Sequence, residues 1–367
     1  MKVALIGIRG IPVVYSGYET FSEIISTELV KKGHAVTVYC RGAYVDPSKK
    51  WHKGVRLITL PTFVSKNFDT IIHSFISTIH ACFYRYDAIL FLSVGNSIFS
   101  IFPRLLGIRT VVNVDGMDWK RKKWGWFAKK FLNYSEYLAT ILPNAIVTDS
   151  HFIKSYYTEK YQKESYYIPY GGFIGDASND AKILKKYSLK KGAYFIWNGR
   201  IVPDNHIDEL VNAYRKVQTS FKCLILGDDL YKSEYKEALH ALAHPDKRII
   251  FPGFLPHSVA ETLVRNAYAY IETKRSGGTH PSLVEAMSVG TLIISDDCTA
   301  NKEVLGETAL FYSQQKGAAS LTQRMNSILN PKNKVNLRKL RLATKKRAQT
   351  IYGWKNIVLA YEKILST

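Results

Sequence analysis

A glycine pair, small polar residues and a proline give one stretch of this chain the composition of an anion site. Gly277 and Gly278 are flexible, and Pro281 has the fixed φ and missing N–H that suit the first turn of a helix. Backbone N–H groups at a helix start, reinforced by the helix dipole, hold phosphate or diphosphate. Glu285 falls one turn beyond Pro281 on the same face, where its carboxylate can accept hydrogen bonds from two neighbouring hydroxyls of a ribose or hexose.

The same pattern also has a plain structural interpretation, a turn followed by an N-capped core helix with Glu285 in solvent. A glycine pair before a helix is a weak signal by itself. However, the apolar run Thr291–Ser295 follows, so that loop, helix and strand form one α/β unit. Ligands collect at the C-terminal ends of strands in such units, which favours a functional site.

The composition favours an anionic partner. The chain has 367 residues, enough for roughly two domains, and 46% of them are hydrophobic. It carries 51 Lys and Arg against 30 Asp and Glu, a net charge of +21. This balance suits nucleic acid, an anionic membrane surface or phosphorylated substrates. The 4 cysteines show no metal-type spacing and indicate buried thiols in a reducing compartment.

Neither a secretory signal nor a membrane span is predicted. The apolar run Val3–Ile6 is too short for a signal peptide. No stretch approaches about 18 uninterrupted apolar residues. We therefore expect a cytosolic protein, or one that rests on a membrane without crossing it.

The order of apolar runs predicts two successive α/β series. The first opens with strand Val3–Ile6, a glycine-bearing loop, a helix from about Glu19 to Lys32 and strand Ala35–Tyr39. Its glycines do not match the dinucleotide spacing G-x-G-x-x-G. We predict two Rossmann-like, doubly wound α/β domains facing each other across a cleft, with residues 1–168 in the first and 169–351 in the second. The last helix, 352–367, is predicted either to pack back on the first domain or to be an ordinary terminal helix.

Several motifs resemble those of the family-4 retaining glycosyltransferases, which have the GT-B fold. The matching residues are Gly199-Arg200, Ile249–Gly253, Pro281–Met287, Ser295-Asp296 and Asn301–Val304. A narrower resemblance, to bacterial polysaccharide rhamnosyltransferases, rests on Gly7–Pro12, Ser16–Phe21, Val114–Arg121 and Gly277–Ser282.

The resemblance implies metal-independent transfer of a hexose or deoxyhexose with retention of configuration. The implied donor is dTDP-rhamnose, and the acceptor is a lipid-diphosphate-linked saccharide in O-antigen, capsule or cell-wall glycan synthesis. A UDP- or GDP-hexose donor is the alternative within the same fold. No cofactor and no metal are expected, in keeping with the lack of a D-x-D carboxylate pair at a strand end.

The resemblance also implies the residues of the site. Asp115, Arg200 and Glu285 are the predicted catalytic residues, although Asp115 can instead cap the next turn. Arg200 offers a bidentate fork to phosphates. The predicted donor-binding residues are Gly17, Glu19, Gly199, Arg200, Asn205, Lys274, Arg275, Gly277, Gly278, Thr279, His280, Pro281, Ser282 and Glu285. The predicted acceptor-binding residues are Arg9, Gly10, Tyr18, Asn96, Asp115 and Asp118.

Two positions depart from the family pattern. Gly277 stands where many members carry a glutamate that contacts the donor sugar, although the narrower branch also has glycine there. Asn205 lies in the segment where the family usually has a phosphate-binding lysine, and its amide carries no charge. We therefore predict that Lys274 or Arg275 supplies the replacement cation.

A basic, aromatic run suits the surface of an anionic membrane. The predicted membrane-contact residues are Trp119, Lys120, Arg121, Lys122, Lys123, Trp124 and Trp126. Amphipathic rings lie at headgroup depth, and each cation near the surface adds about 1 kcal/mol. The alternative is a solvated charged face. We expect a peripheral protein on the inner face of the cell membrane.

Two other classes of protein compete with this interpretation. The net charge suits a nucleic-acid-binding protein, but no nucleic-acid module is recognisable and no nucleic-acid partner is expected. A sugar-nucleotide epimerase would need acid and base carboxylates across a cleft, and a dehydrogenase would need an intact dinucleotide fingerprint. Neither is clear in the sequence.

Overall fold

The chain folds into two compact units. The computed structural model describes residues 1–12, 17–62, 64, 69–114, 116–121, 124–172, 180–229, 233–275 and 277–367, the side chains of 333–335 excepted. Unit 1 comprises Met1–Tyr170 together with Trp354–Thr367, and unit 2 comprises Gly171–Gly353.

Strands alternate with helices along both units. The strands are β1 Lys2–Ile6, β2 Ala35–Arg41, β3 Trp51–His52, β4 Val55–Leu60, β5 Ala88–Leu92, β6 Arg109–Asn113, β7 Ala145–Thr148, β8 Tyr166–Tyr167, β9 Tyr194–Asn198, β10 Lys222–Leu226, β11 Ile249–Gly253, β12 Ala269–Glu272, β13 Leu292–Asp296 and β14 Leu310–Tyr312. The helices are α1 Gly17–Lys31, α2 Asp69–Cys82, α3 Ile101–Leu105, α4 Trp126–Ile141, α5 His151–Tyr161, α6 Asp180–Lys186, α7 Ile207–Tyr214, α8 Glu234–Ala243, α9 His257–Arg265, α10 Pro281–Ser288, α11 Thr299–Leu305, α12 Gly317–Leu329, α13 Lys334–Ile351 and α14 Trp354–Ser366.

Unit 1 is built on an eight-stranded sheet in the order β3-β4-β2-β1-β5-β6-β7-β8. Its pairs are parallel except for the antiparallel pair β3–β4. Parallel strands covered on both faces read as continuous apolar runs, and all five residues of β5 are buried. The C-terminal ends of the parallel strands lie along one edge, where α1, α2 and α4 begin.

The last helix belongs to unit 1. Residues of α14, including Ile357 and Tyr361, share one buried cluster with α1 and the central strands. Asn113 Nδ2 donates to the Tyr361 hydroxyl at 2.7 Å, and His34 Nε2 lies 2.7 Å from the Glu362 carboxylate. A second buried cluster lies on the other face of the sheet and includes Leu132 of α4 and Ile153 of α5.

Unit 2 is built on a six-stranded parallel sheet in the order β11-β10-β9-β12-β13-β14. The ends of β9 and β10 approach closely, because a Cβ added to Gly227 would lie 1.8 Å from the Gly199 carbonyl oxygen. Gly227 also has a φ of +107°, which L side chains rarely adopt. Both units therefore have the doubly wound, Rossmann-like architecture that the sequence predicts.

Candidate functional site

In unit 2, the predicted anion site lies between the C-terminal end of β12 and the start of α10. Gly277 has a φ of +111°, so this turn requires a residue without a side chain. Thr279 and His280 are buried, and Pro281 occupies the first turn of α10. The positive end of the α10 dipole therefore lies at this loop.

Lys274 connects three elements at this edge. Its Nζ lies 2.9 Å from both the Asn198 carbonyl oxygen and Ser282 Oγ, and 3.2 Å from Glu272 Oε2. Burial lowers the pKa of Lys274, and the nearby Glu272 carboxylate opposes that effect. The ammonium group thereby holds the ends of β9 and β12 against the first turn of α10.

Arg275, the next residue, has a different set of partners. Its Nη2 lies 2.8 and 2.7 Å from the two carboxylate oxygens of Glu209, and its Nε lies 2.6 Å from Asp296 Oδ2. Burial alone would lower the pKa of Arg275, but the hydrogen bonds to Asp296 and Glu209 outweigh it and raise that pKa. Both cations predicted to replace the missing phosphate lysine thus have carboxylate partners.

Glu285 is buried in α10 and fixed by a histidine from the neighbouring helix. Its Oε1 lies 2.9 Å from Nε2 of His257, the first residue of α9. The carboxylate is therefore buried on the core side of α10. The plain structural interpretation had placed it in solvent. A carboxylate held in this way presents a fixed acceptor to paired hydroxyl groups.

Gly199 and Arg200 follow β9 directly. A Cβ at Gly199 would lie 2.8 Å from Lys274 Cε, so glycine is required for this approach. Arg200 is half-buried, and its charge contributes to lowering the pKa of Lys274, which places the two cations near each other. Asn205 Nδ2 donates to the Arg200 carbonyl oxygen at 2.7 Å and so fixes the turn after β9.

The corresponding edge of unit 1 holds most of the predicted acceptor residues. Gly10 has a φ of +137°, and a Cβ there would lie 2.6 Å from a Val45 methyl carbon. Asn96 is buried, and its Nδ2 donates to the Leu92 carbonyl oxygen at 2.5 Å. The ring of Tyr18 packs against the core, edge-on to Tyr170.

Two ion pairs lie at the same edge of unit 1. Glu19 is buried near the start of α1, accepts from the Arg9 backbone N–H at 3.1 Å and lies 3.9 Å from Arg9 Nη1. Arg41 Nη1 lies 2.9 Å from Asp69 Oδ2, and both residues are buried. Glu19 therefore fixes the loop after β1 by a direct contact, beyond any effect on its own helix.

Other predicted residues lie outside the described part of the chain or are only partly exposed. Asp115, Lys122 and Lys123 lie outside the described residues. Asp118 pairs with Arg121, with Oδ1 and Nε 2.9 Å apart.

Only one of the three tryptophans predicted to contact a membrane is well exposed. Trp119 and Trp124 are half-buried against the core cluster of unit 1, whereas Trp126 is exposed. Among the cations of that set, Lys120 is exposed and Arg121 is largely covered. The described residues of the run therefore do not form one exposed strip.

Neither a cluster of metal-binding side chains nor a membrane-spanning helix occurs among the described residues. No group of three or more His, Cys, Asp or Glu side chains there could hold a metal ion. Within the same residues, no helix is long and apolar enough to cross a membrane.

Sequence reasoning missed several partners in unit 2. Glu209 and Glu272 were not predicted to matter, although each pairs with a predicted donor residue. His257 was not among the predicted site residues, yet its ring contacts Glu285. Ser295-Asp296 was recognised as a motif, but the pairing of Asp296 with Arg275 becomes visible only in the folded structure.

Family models match two parts of the chain. Residues 179–350 match the model for glycosyl transferases group 1. Residues 86–172 match a domain of unknown function, DUF1972. No curated protein matches the chain.

Solved structures share the fold over the whole chain. Sucrose-phosphate synthase from Thermosynechococcus elongatus has a TM-score of 0.82 at 18% identity, covering 99% of this chain and 98% of its own. HepE from Anabaena, solved with UDP and glucose, has a TM-score of 0.80 at 15% identity, covering 100% and 99%. WaaG, a glycosyltransferase involved in lipopolysaccharide biosynthesis, has a TM-score of 0.72 at 13% identity, covering 100% and 98%. The predicted GT-B fold is thus confirmed, and a glycosyltransferase is supported by the family model.

Proposed function

We propose that this protein is a retaining, metal-independent glycosyltransferase that uses a nucleoside-diphosphate sugar. The best candidate donor is dTDP-rhamnose. The acceptor is a lipid-diphosphate-linked saccharide, and the setting is the synthesis of a bacterial surface polysaccharide. The observation that carries the proposal is the buried Glu285. It lies on α10, the helix whose N-terminus follows the Gly277 turn, and it is held by His257 of α9.

In this proposal the donor binds at the C-terminal edge of the unit 2 sheet. Arg200 and the start of α10 supply positive charge to the diphosphate, because a departing nucleoside diphosphate must be stabilised as its charge develops. The Glu285 carboxylate accepts from the pentose of the nucleotide, that is, from the single free hydroxyl of the deoxyribose in dTDP or from the two hydroxyls of a ribose. Lys274 supports this site indirectly. Its contacts to Asn198 and Ser282 set the spacing between α10 and the end of β9, which Arg200 follows.

The proposed reaction is a displacement on the front face of the donor sugar. The bond from the acceptor oxygen to the anomeric carbon forms on the face from which the phosphate oxygen departs. The acceptor hydroxyl proton passes to that departing phosphate oxygen, which balances the step without a protein base. Asp115 is proposed to orient the sugar or the acceptor.

A UDP-hexose donor is the second candidate. The observation in its favour is the HepE structure, which was solved with UDP and glucose. Its match with this chain covers 99% of HepE. Both donors present the same diphosphate, and they differ at the base, at the transferred hexose and at the pentose, since dTDP has a deoxyribose where UDP has a ribose. A lipid-linked acceptor and binding of the anionic inner membrane face belong to the proposal in either case.

Thermal stabilisation by nucleotides tests the donor. The protein is heated with dTDP, UDP, GDP, NAD or a short DNA duplex, with and without a chelator. Ligand at about 100 times its Kd stabilises by about 2.7 kcal/mol, or roughly 5–10 °C for a domain of this size. We expect a shift with dTDP that persists with chelator. A shift with UDP instead would select the second candidate, and a shift only with NAD or DNA would refute the proposal.

Two matched pairs of variants localise the effect. Arg200→Ala and Glu285→Ala are expected to weaken nucleoside-diphosphate binding at least about tenfold, or about 1.4 kcal/mol. The controls Arg215→Ala and Glu234→Ala change exposed residues of the same charge in unit 2 and are expected to bind as the parent does. Equal affinities in all four variants would place the nucleotide elsewhere.

A further inference from the structure

The outer face of α4 carries large apolar side chains along its length, with Lys130 and Asn133 exposed among them. Phe127, Tyr134, Tyr137 and Ile141 are 82%, 58%, 48% and 49% exposed. Their spacing places them on one stripe of the helix, which on a surface helix normally carries polar residues. Trp126 is exposed beside the first of them.

Neighbouring elements add further exposed apolar side chains beside this stripe. Arg104 Nη1 at the end of α3 lies 2.8 and 2.7 Å from the Ile141 and Leu142 carbonyl oxygens, so α3 lies beside the end of α4. The ring of Phe75 in α2 lies 6.3 Å from that of Phe102 in α3. The exposed apolar residues of this α2–α3–α4 face are Phe75, Ile76, Phe83, Phe102, Leu105, Leu106, Trp126, Phe127, Tyr134, Tyr137 and Ile141. Such a large exposed apolar patch marks a binding surface.

The charges on this face are cationic. Lys130 is exposed on α4, with its Nζ 4.0 Å from the centre of the Trp126 ring, and Arg104 is exposed on α3. The one acidic residue of α4, Glu136, is 1% exposed and accepts from the Tyr156 hydroxyl at 2.8 Å. The exposed parts of α3 and α4 therefore carry lysine and arginine without a carboxylate.

We infer that the α2–α3–α4 face binds the surface of an anionic lipid bilayer. Exposed aromatic rings lie at headgroup depth, aliphatic side chains reach below it, and lysine and arginine contact lipid phosphates. A second copy of this chain fits the face less well. A two-fold contact sets each patch against itself, which would bring the cations of both copies together without carboxylates to offset them.

The location of the face agrees with the proposed acceptor, on which the inference rests for its setting. α4 follows β6 and begins at the C-terminal edge of the unit 1 sheet. Asn96 and Arg9 lie at that same edge. A bilayer bound along α4 would therefore deliver a lipid-linked acceptor to the edge where acceptor binding is proposed.

Flotation with lipid vesicles tests the inference. The full chain is mixed with vesicles of phosphatidylcholine alone or with about a third phosphatidylglycerol, at low and high salt. We expect binding to the anionic vesicles only, weakened by salt because the surface charges are screened. Phe127→Ser/Leu105→Ser is expected to reduce the partition coefficient at least about tenfold, and Lys130→Glu about fivefold or more.

Matched controls remove exposed residues of the same kind elsewhere. Trp51→Ser/Leu342→Ser changes two side chains that are 63% exposed and lie away from the face, and Lys191→Glu changes an exposed lysine of unit 2. These variants are expected to bind vesicles as the parent does. Equal losses in test and control variants would overturn the inference, as would the absence of binding to anionic vesicles.

Two further readouts separate the possible failures. Light scattering after gel filtration would reveal a dimer that Phe127→Ser/Leu105→Ser dissociates, which would assign the face to a second copy and overturn the inference. Nucleotide stabilisation of the same variants reports on the donor site alone. Normal vesicle binding without nucleotide binding would refute the proposed function and leave the face intact, and the reverse result would refute only the face.

Discussion

Replacing Lys274 by Met removes a buried charge while keeping the length of the side chain. Lys274 Nζ lies 4.9 Å from the centre of the Trp197 ring, and the sulfur of a methionine also makes favourable contacts with aromatic rings. The change leaves the Glu272 carboxylate, which is 0% exposed, without the cation 3.2 Å away. It also removes the donor to the Asn198 carbonyl oxygen and to Ser282 Oγ.

The size of the effect follows from burial. Breaking a buried ion pair by removing one partner costs about 3–5 kcal/mol, because the other charge stays buried and unpaired. Unit 2 spans Gly171–Gly353. For a domain of that size each kcal/mol lowers Tm by about 2–4 °C, so Lys274→Met is expected to lower the Tm of unit 2 by roughly 6–20 °C.

Two further variants isolate the cause. Lys274→Met/Glu272→Gln removes both charges and is expected to recover most of the lost stability, as measured by calorimetry. Lys236→Met breaks a half-exposed ion pair in which Lys236 Nζ lies 2.5 Å from Asp228 Oδ1. This change is expected to lower the free energy of unfolding by at most about 1 kcal/mol. A similar Tm for Lys274→Met and Lys236→Met would refute the reasoning.

The same variants decide whether Lys274 contacts phosphate. If Lys274 acts by holding the strand ends, Lys274→Met/Glu272→Gln should bind nucleoside diphosphate within about threefold of the parent, or about 0.7 kcal/mol. If its ammonium is the replacement for the missing lysine, the double variant recovers stability but loses affinity at least about tenfold. Isothermal titration distinguishes the two outcomes.

Three more predictions concern other parts of the molecule. Burial lowers the pKa of His73 to about 4, so its neutral form contributes stability above pH about 6.5 that is lost as pH falls toward 4, about 2 kcal/mol of it by pH 5. Urea unfolding at pH 7 and pH 5 should show this loss in the parent and not in His73→Gln. An equal change in unfolding free energy between the two pH values in both proteins would contradict it. Gly227→Ala should cost at least about 3 kcal/mol, because its Cβ would lie 1.8 Å from the Gly199 carbonyl oxygen. Gly33→Ala, also at positive φ but with no atom within 4 Å, should cost about 1 kcal/mol, and thermal unfolding compares the two. Chelation by EDTA should leave sugar transfer unchanged, and loss of activity that Mg²⁺ restores would refute a metal-independent reaction.

Much of the fold could be predicted because parallel strands leave a clear signal. Runs such as Val3–Ile6 and Ala88–Leu92 are apolar throughout, since helices cover both faces of the sheet. The return of α14 to unit 1 left no such signal. Its contacts join residues far apart in sequence, such as Asn113 and Tyr361, and two equally plain placements of the helix remained open until the structure was known.

The aromatic run was interpreted too simply. Three tryptophans among lysines suggest exposure, but a tryptophan gains much by packing its large apolar area. Trp119 instead lies near Lys160 of α5, with Nζ 5.4 Å from the ring centre, and is half-buried. The exposed aromatic residues lie farther along, on α4, at helical spacing that a search for charged runs does not detect.

The two adjacent cations of the donor loop show what sequence can and cannot provide. Glu272 and Lys274 are two positions apart, a spacing that puts both side chains on one face of an extended chain, so this pairing depends only on local structure, although Glu272 was not among the predicted residues. Arg275 pairs with Glu209 and Asp296, which lie 66 and 21 positions away in sequence. These two partners could be identified only from the folded structure. Because the two sets of partners share no residue, Lys274 and Arg275 act on different parts of unit 2. A substitution at one cannot be compensated by the other, and each must be tested with its own carboxylate partner.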